Sequence, residues 1–354
     1  MTGPRIRHSR PTLGPLEQAA TSRVLSSGQL AADEEVRCFE AEVAGLLGLA
    51  GGVATSSGTA ALHVALLALE VGPGDEVLVP SYVCSAVLHA VQATGARAVP
   101  VDVLPDGNVD LDHARRAVTR RTRVLVVTHA FGTPADLQAL TSLPVPVVED
   151  VAQALGARYR GRPVGSLGEV TVCSFYATKM ITSGGEGGMV LARDPALLGR
   201  VRRLRTSDGG GGGQRFNYRM TELAAAVGRV QLSRLSEFLA ARRRLAAAYG
   251  RALEGSGLEL PTAPPHVDPA CYRYVVKHSR AAVLLRVLRR EGVEAKRPVK
   301  RPLHRILGLQ GFPVAERLHA TCLSLPLYPS LLEAEAEEVA NLVWRALEVS
   351  SVVA

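Results

Sequence analysis

The sequence is poor in aromatic residues. They make up 4% of the chain, with 1 Trp, 6 Phe and 8 Tyr, so the core must be built from Ala, Val and Leu. Lysine is scarcer still: Lys179, Lys277, Lys296 and Lys300 are the whole set, 4 of the 41 basic residues. No uninterrupted apolar stretch reaches the length of a membrane span. Met1 to Leu13 carries charges and two prolines but no apolar core, so a signal peptide is not expected. The 5 cysteines (Cys38, Cys84, Cys173, Cys271 and Cys322) are odd in number and lack CxxC spacing. That argues against a disulfide framework and a zinc cluster, so no metal is expected and the setting reads as a reducing cytoplasm. No GxGxxG follows the first strand, which removes the usual sign of a nicotinamide enzyme.

The formal charge is +8. The basic residues are not interleaved with aromatics and no nucleic-acid motif is present, so neither nucleic acid nor membrane is an expected partner. Arg242-Arg243-Arg244 lies in an Ala/Leu-rich helical stretch and reads as a solvated helix face. A positive field does favour anionic small molecules.

With 354 residues, two domains are the default. From Gly52 short apolar strands alternate with helices: strands at 52–54, 76–79, 98–102, 123–128 and 145–149, helices at 59–69, 85–93, 111–118 and 135–140. This predicts a parallel sheet covered on both faces. Strands at 169–175 and 187–192 follow, then one long helix over 221–249. Pro261, Pro264 and Pro265 mark a boundary. The expected units are 1–250, a lead-in and large domain, and 251–354, a smaller α/β domain with a strand at 273–278 and helices at 281–291 and 332–349.

Four segments carry candidate chemistry. Ser56-Ser57-Gly58-Thr59 opens a helix, where free N–H groups and hydroxyls bind anions; the plain alternative is an N-cap. Asp150 follows the apolar strand Val147-Val148-Glu149, at the edge where open α/β sheets bind ligands, and Gln153 lies one turn on. A carboxylate there can pair with a protonated ring nitrogen, or simply cap a helix. Ser174-Phe175-Tyr176-Ala177-Thr178-Lys179 sets one lysine after a buried strand in a small-residue context. Desolvation disfavours an ammonium, and a neutral amine attacks an aldehyde; the alternative is a surface lysine. Phe216-Asn217-Tyr218-Arg219-Met220 offers phosphate or carboxylate ligands, or a capping turn.

Together these segments make the chain resemble the DegT/DnrJ/EryC1/StrS family of pyridoxal-phosphate (PLP) aminotransferases. The resemblance rests on SSGTAALHVALLAL with VGPGDEVLVPSYV, VEDVAQALGARYRGRPVGSLGEV, SFYATKM with GEGGMV, FNYRMTELAAAVGRVQL and SLPLYPSL, in the family's order. It implies a fold-type I α/β transferase with a mainly parallel seven-stranded sheet and a smaller C-terminal domain. It implies PLP as cofactor, with Lys179 as the Schiff-base lysine and Asp150 on the pyridinium nitrogen. Gln153 would meet the phenolic oxygen, and Gly58, Thr59 and Ser174 the phosphate. Asn217 would reach the phosphate of the neighbouring subunit in a homodimer with shared sites. Arg219, His304 and Tyr328 are substrate candidates by position. The implied reaction moves an amino group from an amino acid, glutamate in the first instance, to a nucleotide-linked keto-sugar. A different PLP reaction and a non-catalytic regulator are the alternatives.

The chain departs from the family in three places. Cys84 stands where the family often has the Phe or Trp that stacks on the cofactor, so either Cys84 covers the ring as a small soft group or another residue does. Gly184-Gly185 lengthens the loop before Glu186. Gly209 to Gly213 replaces a segment that usually shapes the substrate site.

Overall fold

The computed structural model describes residues 3–140, 143–207 and 213–348. Gly209 to Gly212 of the glycine run lie outside them, as does Val349.

Seven strands form the main sheet: β1 (Gly51–Thr55), β2 (Glu76–Pro80), β3 (Arg97–Val101), β4 (Thr122–Thr128), β5 (Val147–Asp150), β6 (Val170–Ser174) and β7 (Gly188–Ala192). Their spatial order is β1-β7-β6-β5-β4-β2-β3. The pairs from β3 through β2, β4 and β5 to β6 are parallel. Only β7 is reversed, antiparallel to both β6 and β1.

The strands are apolar on both sides, and the two-residue period sorts them. Leu78, Leu125, Val127 and Leu191 face one core with Phe39, Val43 and Leu47 of α2 (Glu34–Leu47). Val77, Val79, Val124, Val126 and Val190 face the other, with α3 (Gly58–Ala68) and α4 (Ser85–Ala93). Helix α3 buries Ala61, Leu62, Val64, Ala65 and Leu66, which is why its sequence has no polar face. α1 (Pro15–Ser27) and α2 form the lead-in.

Two helix expectations change. The stretch read as one helix over 221–249 is two, broken at Arg234, whose backbone is non-helical (φ −97°, ψ 3°). The Arg234 guanidinium there binds Glu237 and Glu17, which favours the bend. A helix over Pro195–Arg205, not anticipated, starts from an Asp194 cap on Ala196 with Pro195 in its first turn. With α5 (Leu111–Ala117), it becomes α6, followed by α7 (Glu222–Ser233) and α8 (Leu235–Ala252). The helix expected at 135–140 is a single turn, Leu137–Leu140.

In the C-terminal part β8 (Tyr274–Lys277) pairs antiparallel with β9 (Cys322–Leu325). α9 (Ala281–Arg290), α10 (Pro313–Thr321) and α11 (Glu333–Glu348) accompany them. Their core takes in Leu245 and Tyr249 from α8 and Ile6 from the start of the chain.

The solvated face expected of Arg242-Arg243-Arg244 is only partly so. Arg242 is 3% exposed. It donates to the carbonyls of Tyr272 and Leu327 at 3.2 and 3.1 Å, and burial lowers its pKa to about 10. A buried cation bonded to carbonyls alone, its Nε without a partner, costs several kcal/mol in desolvation, yet it clasps the residues just before β8 and just after β9 to α8. Arg244 does face out, paired with Glu333. A second clasp is Asp102, just past β3, whose carboxylate accepts from the first N–H groups of α10, Val314 and Ala315.

Candidate active site

The carboxyl ends of β4, β5 and β6 and the start of α3 enclose a cavity of about 420 Å³. The parallel register explains the convergence. Asp150 pairs with Val172, so the last residue of β5 lies beside the strand whose end, Ser174, leads to Lys179. Asp150 and Lys179 both line this cavity.

Each wall has a local cause. Ser57 caps α3 by accepting from Ala60, which leaves the N–H groups of Gly58 and Thr59 at a free helix start. Glycine is required at 58: a Cβ there would come within 2.6 Å of the Ser174 Cβ. That close approach puts Ser174 against the helix start, and its residues line the cavity too.

Asp150 accepts from the Ala152 N–H at 2.9 Å. Burial pushes its carboxyl up from the ordinary value, while Ala152, Lys179 and His129 pull the other way. A cation placed beside it would ionise it. Gln153 accepts the Phe131 N–H through Oε1 at 3.0 Å. That bond fixes the amide orientation and leaves Nε2 as the donor end.

His129, at the end of β4, accepts from Ala135 through Nδ1, so its proton sits on Nε2, 3.4 Å from Glu149. Glu149 accepts from the N–H groups of Gly165, Leu167 and Gly168; against the burial that would raise it, His129 first and then Gly168 and Leu167 hold it below the usual carboxylate range. Lys179 Nζ lies 5.5 Å from the centre of the Tyr272 ring. Burial alone would raise the Tyr272 phenol, but Lys179, Arg273 and Arg242 outweigh it and hold it low.

A second cavity of about 870 Å³ opens outward from the first and shares Cys84, Gln153, Lys179, Tyr272 and Arg273 with it. Its outer wall carries Lys296, Arg297, Lys300, Arg301 and Arg305, and among the described residues no carboxylate lines it. Four of these cations fall within residues 296–301, one more than in the run Arg242 to Arg244, and they are visible in the sequence.

The structure thus brings Gly58, Thr59, Cys84, Asp150, Gln153, Ser174 and Lys179 to one cavity. Asn217 and Arg219 do not line it; both are exposed. Alternating with them, Phe216 and Tyr218 stack at 4.9 Å and pack on His63, so Asn217 and Arg219 face outward. Tyr328 is buried in the C-terminal core, where burial raises its phenol.

His304 lines neither cavity. It is 1% exposed and spans Ser81 and Glu316, with Nε2 2.7 Å from Glu316 Oε1. Both ring nitrogens are taken, and the bond to Ser81 ties the basic wall to the end of β2. The residues that sequence reasoning missed are His129, Tyr272 and Arg273. His129 follows the same strand-end rule as Asp150, whereas nothing local marks the other two.

The DegT/DnrJ/EryC1/StrS aminotransferase family model matches residues 11–344. The chain belongs to this family. Its relatives include the dTDP-3-amino-3,4,6-trideoxy-alpha-D-glucose transaminase of Streptomyces venezuelae, 38% identical over 92% of this chain and 90% of that protein. The erythromycin biosynthesis sensory transduction protein EryC1 of Saccharopolyspora erythraea is 40% identical over 90% of this chain and 92% of its own. Among solved structures, the aminotransferase TlmJ from Streptoalloteichus hindustanus superimposes with a TM-score of 0.93 at 35% identity, covering 98% of this chain and 100% of that one. DesV of S. venezuelae, solved with a ketimine intermediate, gives 0.89 at 37% identity over 94% of each. This aminotransferase therefore has the family's fold over nearly its whole length.

The Glu316 carboxyl is held down to about 2, first by Arg305 and then by His304. A depressed carboxyl stabilises above its ordinary 4.5 and loses that contribution as pH falls towards about 2. Glu316→Gln is expected to flatten this part of the acid limb in urea melts across that range, with a small change near neutrality because the pair is partly exposed.

Proposed function

We propose that this family member holds pyridoxal 5'-phosphate in the inner cavity and transfers an amino group from an amino acid, glutamate in the first instance, to a nucleotide-linked keto-sugar. One observation carries the reading: Lys179 and Asp150 line the same cavity as a free helix start.

The residues present fit the group. The α3 N-terminus and Ser174 supply donors for a phosphate. Gln153 Nε2 is free to donate to a phenolate oxygen because Oε1 is already engaged. The Asp150 carboxyl, pushed up by burial, suits a partner that brings a proton and a positive charge. When bound, pyridoxal phosphate supplies an aldehyde and an electron-accepting ring.

The chain's own residues do the rest. Asp150 holds a proton at the ring nitrogen. Lys179 Nζ would anchor the cofactor and, as a free amine, would move the proton at the donor's α-carbon. Cys84, small and exposed at the N-cap of α4, leaves the passage between the two cavities open. The names of the S. venezuelae transaminase and DesV's bound intermediate support the reaction class. The basic outer cavity supports an acceptor that carries phosphate. EryC1's name as a sensory protein offers a regulatory reading, but a regulator has no use for a lysine and an aspartate set in one pocket.

The exposed Asn217 and the lead-in's exposed Leu16 and Leu25 support a homodimer in which Asn217 completes the partner's phosphate site. In this arrangement no chain is complete alone.

Asp150→Asn is expected to keep the cofactor, read from its visible absorbance, while turnover falls roughly 100-fold or more; unchanged turnover would refute the proton-holding role. Mixing Lys179→Ala with Asn217→Ala subunits should restore activity that neither has alone, because one site of the mixed dimer has both residues intact. No recovery in subunits shown to exchange would refute the shared site.

A further inference from the structure

Among the described residues, Lys179 and Arg273 are the cations that line both cavities. Arg305 is paired with Glu316, Lys296 with Glu294, and Arg297 donates to the His319 carbonyl. Among the described residues Arg273 makes no such ion pair, and its Nη1 is fully enclosed without a hydrogen-bond partner.

Its position is nonetheless tightly set. Its own N–H donates to the Phe131 carbonyl at 3.2 Å. The preceding residue, Tyr272, has its carbonyl held by the buried Arg242. The Arg273 guanidinium carbon lies 5.3 Å from the centre of the Tyr272 ring, and Lys179 Nζ lies 5.5 Å from the same centre. One aromatic ring therefore borders both cations. The acid groups of the inner cavity are Asp150 and Glu186, and neither is bonded to Arg273.

A guanidinium has a planar fork of donors that matches a carboxylate in two parallel bonds. Leaving one arm enclosed and unsatisfied costs free energy that a ligand recovers. The ligand must be an anion small enough to enter a cavity of about 420 Å³ while its amine reaches Lys179. We propose that Arg273 receives the α-carboxylate of the amino donor, and so selects α-amino acids over plain amines. The proposal rests on the aminotransferase reading of the same cavity. It adds the residue that decides which amines are accepted, and Arg273 acts by binding, taking no part in proton transfer.

The test uses the full-length protein loaded with pyridoxal phosphate, with the donor half-reaction followed by the change in cofactor absorbance. L-glutamate and benzylamine, which has no carboxylate, are compared as donors, and the ratio of their rate constants over apparent affinity is the readout. In Arg273→Gln that ratio is expected to fall roughly 30-fold or more, the scale for removing one partner of an enclosed charge pair. Arg273→Lys, which keeps charge without the fork, should fall between. A ratio equal to wild type in both variants overturns the proposal. Should Arg273→Gln fail to fold, the lysine variant alone is read by the same ratio, and an unchanged value again overturns it. If the wild type converts with no amino acid at all, the aminotransferase reading itself fails, which is a different outcome from an unchanged ratio.

Discussion

The parallel pairing of β5 with β6 is the constraint on which the site depends. It sets Asp150 opposite Val172, one strand away from the segment that ends in Lys179. A slip of one residue would turn Asp150 to the other face of the sheet, away from the cavity and from the valines whose face it shares. Register is secured by those valines themselves, since Val148, Val170 and Val172 are all packed on the same core. The chemistry of the pocket is thus held by apolar side chains that never touch a ligand.

Around that pairing, backbone packing sets the second wall. Gly58 lets α3 start against Ser174, and Gly188 on β7 meets the Ser57 carbonyl so closely that a Cβ could not fit. The reversed strand β7 and the free helix start are therefore one arrangement. Beyond it, the C-terminal part brings Tyr272, Arg273 and the basic wall over the pocket, clasped by Arg242 on one side and by Asp102 and the Ser81–His304–Glu316 chain on the other.

Much of this was legible in the sequence because it depends on local pattern. The strands of the main sheet follow from short apolar runs, and α4 begins and ends where its periodicity does. Asp150 and Lys179 are visible because strand ends in such sheets are where ligands bind. What was hidden depends on distance along the chain. The break at Arg234 is favoured by Glu17, more than two hundred residues away. Arg242 reads as one of three surface arginines until Tyr272 and Leu327 supply its carbonyls. His304 has nothing beside it in sequence to foretell Ser81. Arg273 reaches the pocket only because β8 packs beside the sheet, which no periodicity announces.

The scarcity of lysine makes the central claim directly measurable. Incubating the protein with pyridoxal phosphate, reducing it with borohydride and mapping the peptides by mass spectrometry locates the attached pyridoxyl group. The account predicts the label on Lys179, diminished when inorganic phosphate competes for the start of α3. A label confined to Lys277, Lys296 or Lys300 would contradict it.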